Sequence, residues 1–260
     1  MKRVLAFGCH PDDVEFQCAG TLALLAKRGY EIHIATMCGG ELGSAELPPQ
    51  QIRAVRLKEA AKAAAVIGAT YHYAGGYDLE VDYNSEYRRR TVRILREVDP
   101  FLVFTMPPMD YLDDHEQTSR LVRFATFVAA VPNFDCGVPS KPASGVPHLY
   151  YCNASGLKDI FGRPLPLTCS VDVSSVIATK RRMLAQHASQ RNWLKHHHHY
   201  DRYLDVMEQS ARDEGKRAGL KLAEGFIQHR GGSYAEGDVL KEILGDLCVG
   251  MPPAQGGTRA

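Results

Sequence analysis

The sequence predicts an α/β fold, a Rossmann-like and mostly parallel doubly wound sheet with a helical C-terminal section. Three observations carry this expectation. Short apolar or β-branched runs alternate with helical segments of about 10 to 20 residues, the spacing of parallel strands joined by crossover helices. The sharpest polar feature, His10-Pro11-Asp12-Asp13, directly follows the first apolar run, and open α/β sheets bind ligands at the carboxyl ends of their strands. A chain of 260 residues, 45% apolar and 23% charged, is large enough for a sizeable core without staples.

Along the chain, Val4 to Cys9 reads as a strand, and a helical pattern from Cys18 to Arg28 follows, stopped by Gly29. Glu31 to Cys38 alternates with β-branched residues until Gly39-Gly40 breaks it, and Pro49 to Ile67 is an alanine-rich amphipathic segment closed by Gly68. Next come Tyr71-His72-Tyr73, a helix from Ser85 to Glu97 ended by Asp99-Pro100, a strand from Phe101 to Thr105, and a helix from Glu116 to Val131. After Pro132 the texture changes to a Gly/Pro/Ser-rich loop, strands at Leu149 to Asn153 and Thr168 to Val173, and helices from Ser174 onward. This reads as one domain over residues 1–249, with residues 250–260 as a flexible tail.

Lys+Arg 31 against Asp+Glu 30 leaves a net charge of +1, which argues against global disorder and against a basic nucleic-acid footprint. The first apolar run is too short and too soon charged for a secretory signal. No stretch approaches the roughly 20 apolar residues of a membrane span. Seven scattered cysteines without a C-x-x-C pair predict reduced thiols in the cytoplasm. The expected partner is therefore a small molecule, with neither nucleic acid nor membrane; the sequence leaves open whether the chain forms a homo-oligomer.

On a Pro-containing turn, His10 and Asp13 can both face one cation while the adjacent Asp12 points elsewhere and handles a proton. A polar turn whose aspartates cap the following helix is the alternative. Pro107 to His115 again follows a strand and precedes a helix. If the two loops lie side by side, His10, Asp13 and His115 supply two imidazoles and a carboxylate, with positions left open as catalytic metal sites require. A capping or core histidine is the plain alternative for His115.

Taken together, His10-Pro11-Asp12-Asp13-Val14-Glu15, Gly39-Gly40-Glu41-Leu42-Gly43-Ser44, Arg56-x-x-Glu59-Ala60, Asp114-His115, His187-Ala188-Ser189-Gln190 and Ala223-Glu224-Gly225-Phe226 make the chain similar to the PIG-L/LmbE-like family of zinc-dependent N-acetylglucosaminyl deacetylases. The resemblance implies a hydrolase that removes an N-acyl group, acetyl first, from an amino sugar or a glycoside of one. It implies that His10, Asp13 and His115 hold Zn²⁺, that Asp12 is the general base, and that Asp114 orients the catalytic groups. Leu112 stands where family members often carry a second loop histidine. Leucine donates no proton, so Asp12 acts alone or with help at the oxyanion from Tyr111, Asp110 or His148.

Glu41 and Ser44 sit in a glycine-rich loop and could hydrogen-bond sugar hydroxyls, although an ordinary turn explains them as well. Arg56 and Glu59 read as an i,i+3 ion pair or as neighbours of the substrate. Glu15 can cap its helix. His196 to His199 point around a helix and cannot all hold one metal, and Arg88-Arg89-Arg90 reads as a solvated face. A non-haem Fe(II) enzyme shares the two-histidine, one-carboxylate set. A sugar-binding homologue without catalysis is the remaining alternative. A dinucleotide module is disfavoured because the first loop lacks G-x-G-x-x-G.

Overall fold

The computed structural model describes residues 1–192 and 202–251, so His196 to His199 lie outside the described residues. Among the described residues eight strands form one sheet in the order β3-β2-β1-β4-β5-β7-β6-β8: β1 (Arg3–Gly8), β2 (Glu31–Cys38), β3 (Thr70–Gly76), β4 (Leu102–Thr105), β5 (His148–Cys152), β6 (Cys169–Asp172), β7 (Ala223–Gln228) and β8 (Cys248–Gly250). The first five in this order are parallel. β7, β6 and β8 continue the sheet through antiparallel pairings. The α/β, mostly parallel architecture is thus as the sequence predicts, with an antiparallel margin added by the C-terminal third.

Helices α1 (Asp13–Gln17), α2 (Ala19–Lys27), α3 (Pro49–Ala65), α4 (Ser85–Val98), α5 (Asp113–Val128), α6 (Ile177–Leu184), α7 (Tyr203–Ala218) and α8 (Val239–Leu244) flank the sheet. The period-2 alternation of β1 divides the core. Val4 and Ala6 face α2, α6, α7 and α8, whereas Leu5 and Phe7 face α4 and α5. A central strand covered on both faces has no polar side, which is why β1 reads as an unbroken apolar run. The α4 helix starts where the Asn84 side chain accepts the Tyr87 N–H at 3.0 Å.

The expected tail boundary shifts. Gly250 pairs with Cys169 in β8, and the Met251 N–H reaches the Thr168 carbonyl at 2.9 Å, because the exposed edge of β6 offers a ladder for these residues to complete. Only residues 252–260 of the predicted tail fall outside the described part. Among the described residues no helix is long and apolar enough to cross a membrane. All seven cysteines are free and buried.

Candidate active site

Parallel strands point their carboxyl ends the same way, so the loops after β1, β2, β3 and β4 converge on one sheet edge. In the β1 loop, Asp13 opens α1, and its Oδ2 accepts the backbone N–H groups of His10 at 2.7 Å and Cys9 at 3.0 Å. Asp12 lies in the left-handed region at φ 110°, a conformation that costs a non-glycine residue on the order of 1–3 kcal/mol. The turn sends the two adjacent carboxylates to different partners. Asp13 meets His10 and His115, and Asp12 meets Arg56 and Tyr203.

His115, in the first turn of α5, brings its Nε2 to 3.3 Å from His10 Nδ1 and 3.5 Å from Asp13 Oδ1. His10 Nδ1 lies 3.5 Å from Asp13 Oδ2. The remaining ring nitrogens face carboxylates. His115 Nδ1 is 3.1 Å from Asp110 Oδ2, and His10 Nε2 is 3.0 Å from Asp78 Oδ1 and 3.4 Å from Asp114 Oδ2. Carboxylates at those positions hold the protons there and leave the lone pairs of His10 Nδ1 and His115 Nε2 turned toward Asp13, as outer carboxylates do for metal-ligating histidines. Four-coordinate zinc with ~2.0–2.1 Å bonds separates its ligands by about 3.3 Å. The three residues therefore fit a zinc ion in spacing and in donor chemistry.

His10 and His115 are buried and Asp13 largely so, and the charges compensate. Burial pushes the Asp13 carboxyl up, but His115, His10 and the backbone N–H of His10 together hold it well below the usual carboxylate range. Burial also pushes Asp12 up, and there it wins over the opposing Arg56 guanidinium. A carboxyl raised in this way is suited to accept a proton and release it again. The Tyr203 hydroxyl, from α7, donates to Asp12 Oδ2, and Arg56 Nη2 lies 3.6 Å from Asp12 Oδ1.

The other predicted site residues divide. Arg56 is buried, but not through Glu59: it donates to the Pro11 carbonyl at 2.8 Å and the Gly40 carbonyl at 3.1 Å, tying the β1 and β2 loops together. Glu59 instead accepts from the N–H and Oγ of Ser189 at 3.0 and 2.6 Å. Glu41 is buried, taking the Gly39 N–H at 3.0 Å with Arg53 at 3.5 Å. Ser44 Oγ accepts the N–H groups of Glu46 and Leu47 at 3.2 and 3.0 Å, so it closes its own turn. Glu15, expected as a cap, faces the buried His187 at 3.4 Å. Tyr111 lies over the site with its ring edge-on to His115, centroids 5.5 Å apart.

His148 does not join the site. It is the first residue of β5 and pairs with Leu102, the first of β4, so it lies at the amino edge of the sheet, stacked edge-on against Phe101. Its position in the sequence placed it near a strand, but at the wrong end. The sequence reading also gave no role to Asp78 and Tyr203, and it considered Asp110 only at the oxyanion. Asp78 could have been found from its place just after β3, on the same edge. Nothing local announces Tyr203, 191 residues from Asp12.

Above the triad opens a cavity of about 710 Å³, bounded by Asp12, Asp13, His10 and His115 and by side chains of the β2, β3, β4 and β5 loops and of α7. A doubly wound α/β chain with two imidazoles and a carboxylate spaced for a metal at the base of such a cavity belongs to the class of candidate metalloenzymes. Residues 5–126, which carry both loops, match the PIG-L family, described as GlcNAc-PI de-N-acetylase, and the chain therefore carries a PIG-L family domain over this span.

The chain is 24% identical over 246 residues to a 4-oxalmesaconate hydratase of Pseudomonas putida, covering 91% of this chain and 88% of the relative. It is 27% identical over 204 residues to a diacetylchitobiose deacetylase of Thermococcus kodakarensis, covering 73% and 70%. The fold superimposes on the structure of N,N'-diacetylchitobiose deacetylase from Pyrococcus horikoshii with a TM-score of 0.74 at 23% identity, over 88% of this chain and 84% of that one.

Proposed function

We propose that this chain is a zinc-dependent hydrolase that removes an N-acyl group from an amino sugar or a small N-acetylglucosamine-containing molecule. The observation that carries the reading is the near-tetrahedral spacing of His10, Asp13 and His115 with Asp12 beside them but turned to other partners. The name of the deacetylase relative supports the substrate class. When bound, zinc lowers the pKa of water in contact with it and polarises the amide carbonyl.

The residues of the chain do the rest. Asp12 takes a proton from the attacking water and passes it to the leaving amine nitrogen. Tyr203 and Arg56 hold Asp12 in place. Asp110, Asp78 and Asp114 fix the rings of His115 and His10. The free cysteines support a cytoplasmic setting.

A second reading is hydration of an unsaturated acid, the reaction named for the relative of widest coverage. Leu112 favours it, because hydration has no leaving amine to protonate. The test loads the protein with zinc and offers N-acetylated amino sugars beside unsaturated dicarboxylates. Acetate release with free amine is expected. Hydration without any amide cleavage would overturn the first reading in favour of the second.

A further inference from the structure

On the β2 side of the site, Glu41 and Ser44, the residues expected to meet sugar hydroxyls, bond within their own loop, and Arg56 gives its two terminal nitrogens to the Gly40 and Pro11 carbonyls. The cavity wall there carries Leu42, Leu79, Tyr111 and Leu112 beside Asp78 and the Arg56 side chain. The most open of these are apolar or aromatic, with Leu79 and Tyr111 58% and 72% exposed. Leu79 also holds a left-handed backbone at φ 59°, a strained position for leucine. The strain accompanies a bond that fixes the segment to the site, from the Leu79 N–H to Asp114 Oδ2 at 2.8 Å. Leu42 is fixed likewise, its N–H donating to Asp78 Oδ2 at 3.1 Å.

The doubly wound architecture separates the cavity into two sides. Leu79, Tyr111 and Leu112 precede α4 and α5, the helices on one face of the sheet. Asp12 looks to Tyr203 of α7 and Arg56 of α3, and the neighbouring wall holds the hydrogen-bonding side chains Gln17 of α1, Ser155 and Ser210 of α7, with Phe16 and Val206 between them. The leaving amine must lie within reach of the group that protonates it, which places the sugar on the polar Asp12 side. The acyl tail, on the other side of the carbonyl carbon, then runs between the leucines.

Resting on the proposed N-deacylase reading, we infer that Leu79, Tyr111 and Leu112 form an acyl-tail site and that the preferred substrate carries a linear N-acyl chain longer than acetyl. The reaction is hydrolysis. The C–N bond breaks, the water oxygen joins the acyl carbon, a water proton reaches the amine through Asp12, and a medium-chain carboxylate leaves.

The test uses glucosamine N-acylated with acetyl, butanoyl, hexanoyl or octanoyl groups on the zinc-loaded protein, with calorimetric binding of the matching carboxylates as a readout independent of turnover. Both kcat/KM and carboxylate affinity should rise roughly three- to fourfold per methylene until the collar is filled. Leu79→Asn keeps the backbone bond and relieves the strain, because asparagine tolerates this conformation, so it folds. It should level both series. A decline from acetyl onward, with apolar glycosides of N-acetylglucosamine gaining instead, would overturn the inference and assign the collar to the aglycone. If no amide is cleaved, the deacylase reading falls, and the carboxylate series still decides the tail site: a flat series overturns it, and a rising one that Leu79→Asn abolishes sustains it.

Discussion

Asp110 accepts from His115 Nδ1 at 3.1 Å, and this bond settles which ring nitrogen of His115 faces Asp13. The carboxylate is itself buried and oriented, since the Tyr111 N–H donates to its other oxygen at 2.7 Å. Asp110→Asn removes the charge that holds the proton on Nδ1 without changing the shape. Zinc affinity should fall about 10- to 100-fold, the usual cost of losing an outer partner of a metal-bound histidine. Competition with a chromophoric chelator measures it. Unchanged affinity would mean that the ring is held by packing alone.

Asp12→Asn should retain zinc and slow hydrolysis by about 10²- to 10⁴-fold, the contribution of a positioned acid/base group. The contacts argue for this division of roles, because Asp13 is the carboxylate within 3.5 Å of both imidazoles and Asp12 is the one joined to Tyr203 and Arg56. Metal analysis and turnover are measured on the same preparation. Loss of metal with turnover per bound zinc unchanged would exchange the two assignments.

The sequence made the centre of this site readable and left its surroundings dark, for a physical reason. His10 and Asp13 are three residues apart on one turn, and the strand-end rule put His115 on the same edge, so short-range spacing and one topological rule sufficed. Asp110 and Asp114 lie beside His115 in sequence, but Asp78 comes from the β3 loop and Tyr203, which holds Asp12, from α7, and those contacts form only when distant segments pack. Arg56 shows the same limit: helical spacing suggested Glu59, but tertiary packing turned the guanidinium toward the Pro11 and Gly40 carbonyls. The parallel half of the sheet was plain from strand-helix alternation. The antiparallel margin was not, since β8 is three residues long and takes its place only once β6 offers an edge.

Glu224 is the acceptor for a buried set of donors beneath the sheet edge. Lys180 Nζ lies 2.5 Å from its Oε1, the Gly20 N–H 2.8 Å from the same oxygen, and the Thr21 N–H and Oγ1 2.7 and 2.6 Å from Oε2. Glu224→Ala leaves the Lys180 ammonium and three further donors without a partner, and should cost about 3–5 kcal/mol of stability. Urea unfolding reads this directly. Adding Lys180→Met should recover part of the loss, and no recovery would point to the lost backbone bonds as the larger share.

Asp99 ends α4 in the left-handed region at φ 47°, and its carboxylate accepts the N–H and Oγ of Ser144, each at 2.7 Å. Its slight burial acts to raise the pKa, but the bonds from Ser144 and the charge of Arg3 outweigh it and leave the carboxyl below its usual value. A folded-state pKa below the unfolded one gives stability that is present above the unfolded value, near 3.9, and lost as pH falls through the folded one. Thermal melts should therefore drop less between pH 5 and pH 3, a window of about two units around that value, in Asp99→Asn than in the parent. Asparagine keeps the backbone conformation, so a parallel pair of curves would show that Ser144 contributes nothing through charge.

Leu112 precedes α5 and lines the cavity two residues from Asp114 and three from His115, where the resemblance to zinc-dependent deacetylases calls for a histidine. A side chain without a donor there leaves the developing oxyanion to other groups, and one such donor is worth roughly 10²- to 10³-fold in rate. Leu112→His should raise turnover of N-acetylglucosamine substrates by a part of that factor, because the existing loop was not shaped to aim the new ring. The same change puts a polar group into the apolar collar, so the longest N-acyl substrates should lose while the acetyl substrate gains. Steady-state kinetics over the chain-length series, with zinc content checked, separates these effects. If acetyl turnover stays flat at full zinc occupancy, the loop lacks no donor, and the leucine serves only to shape the cavity wall.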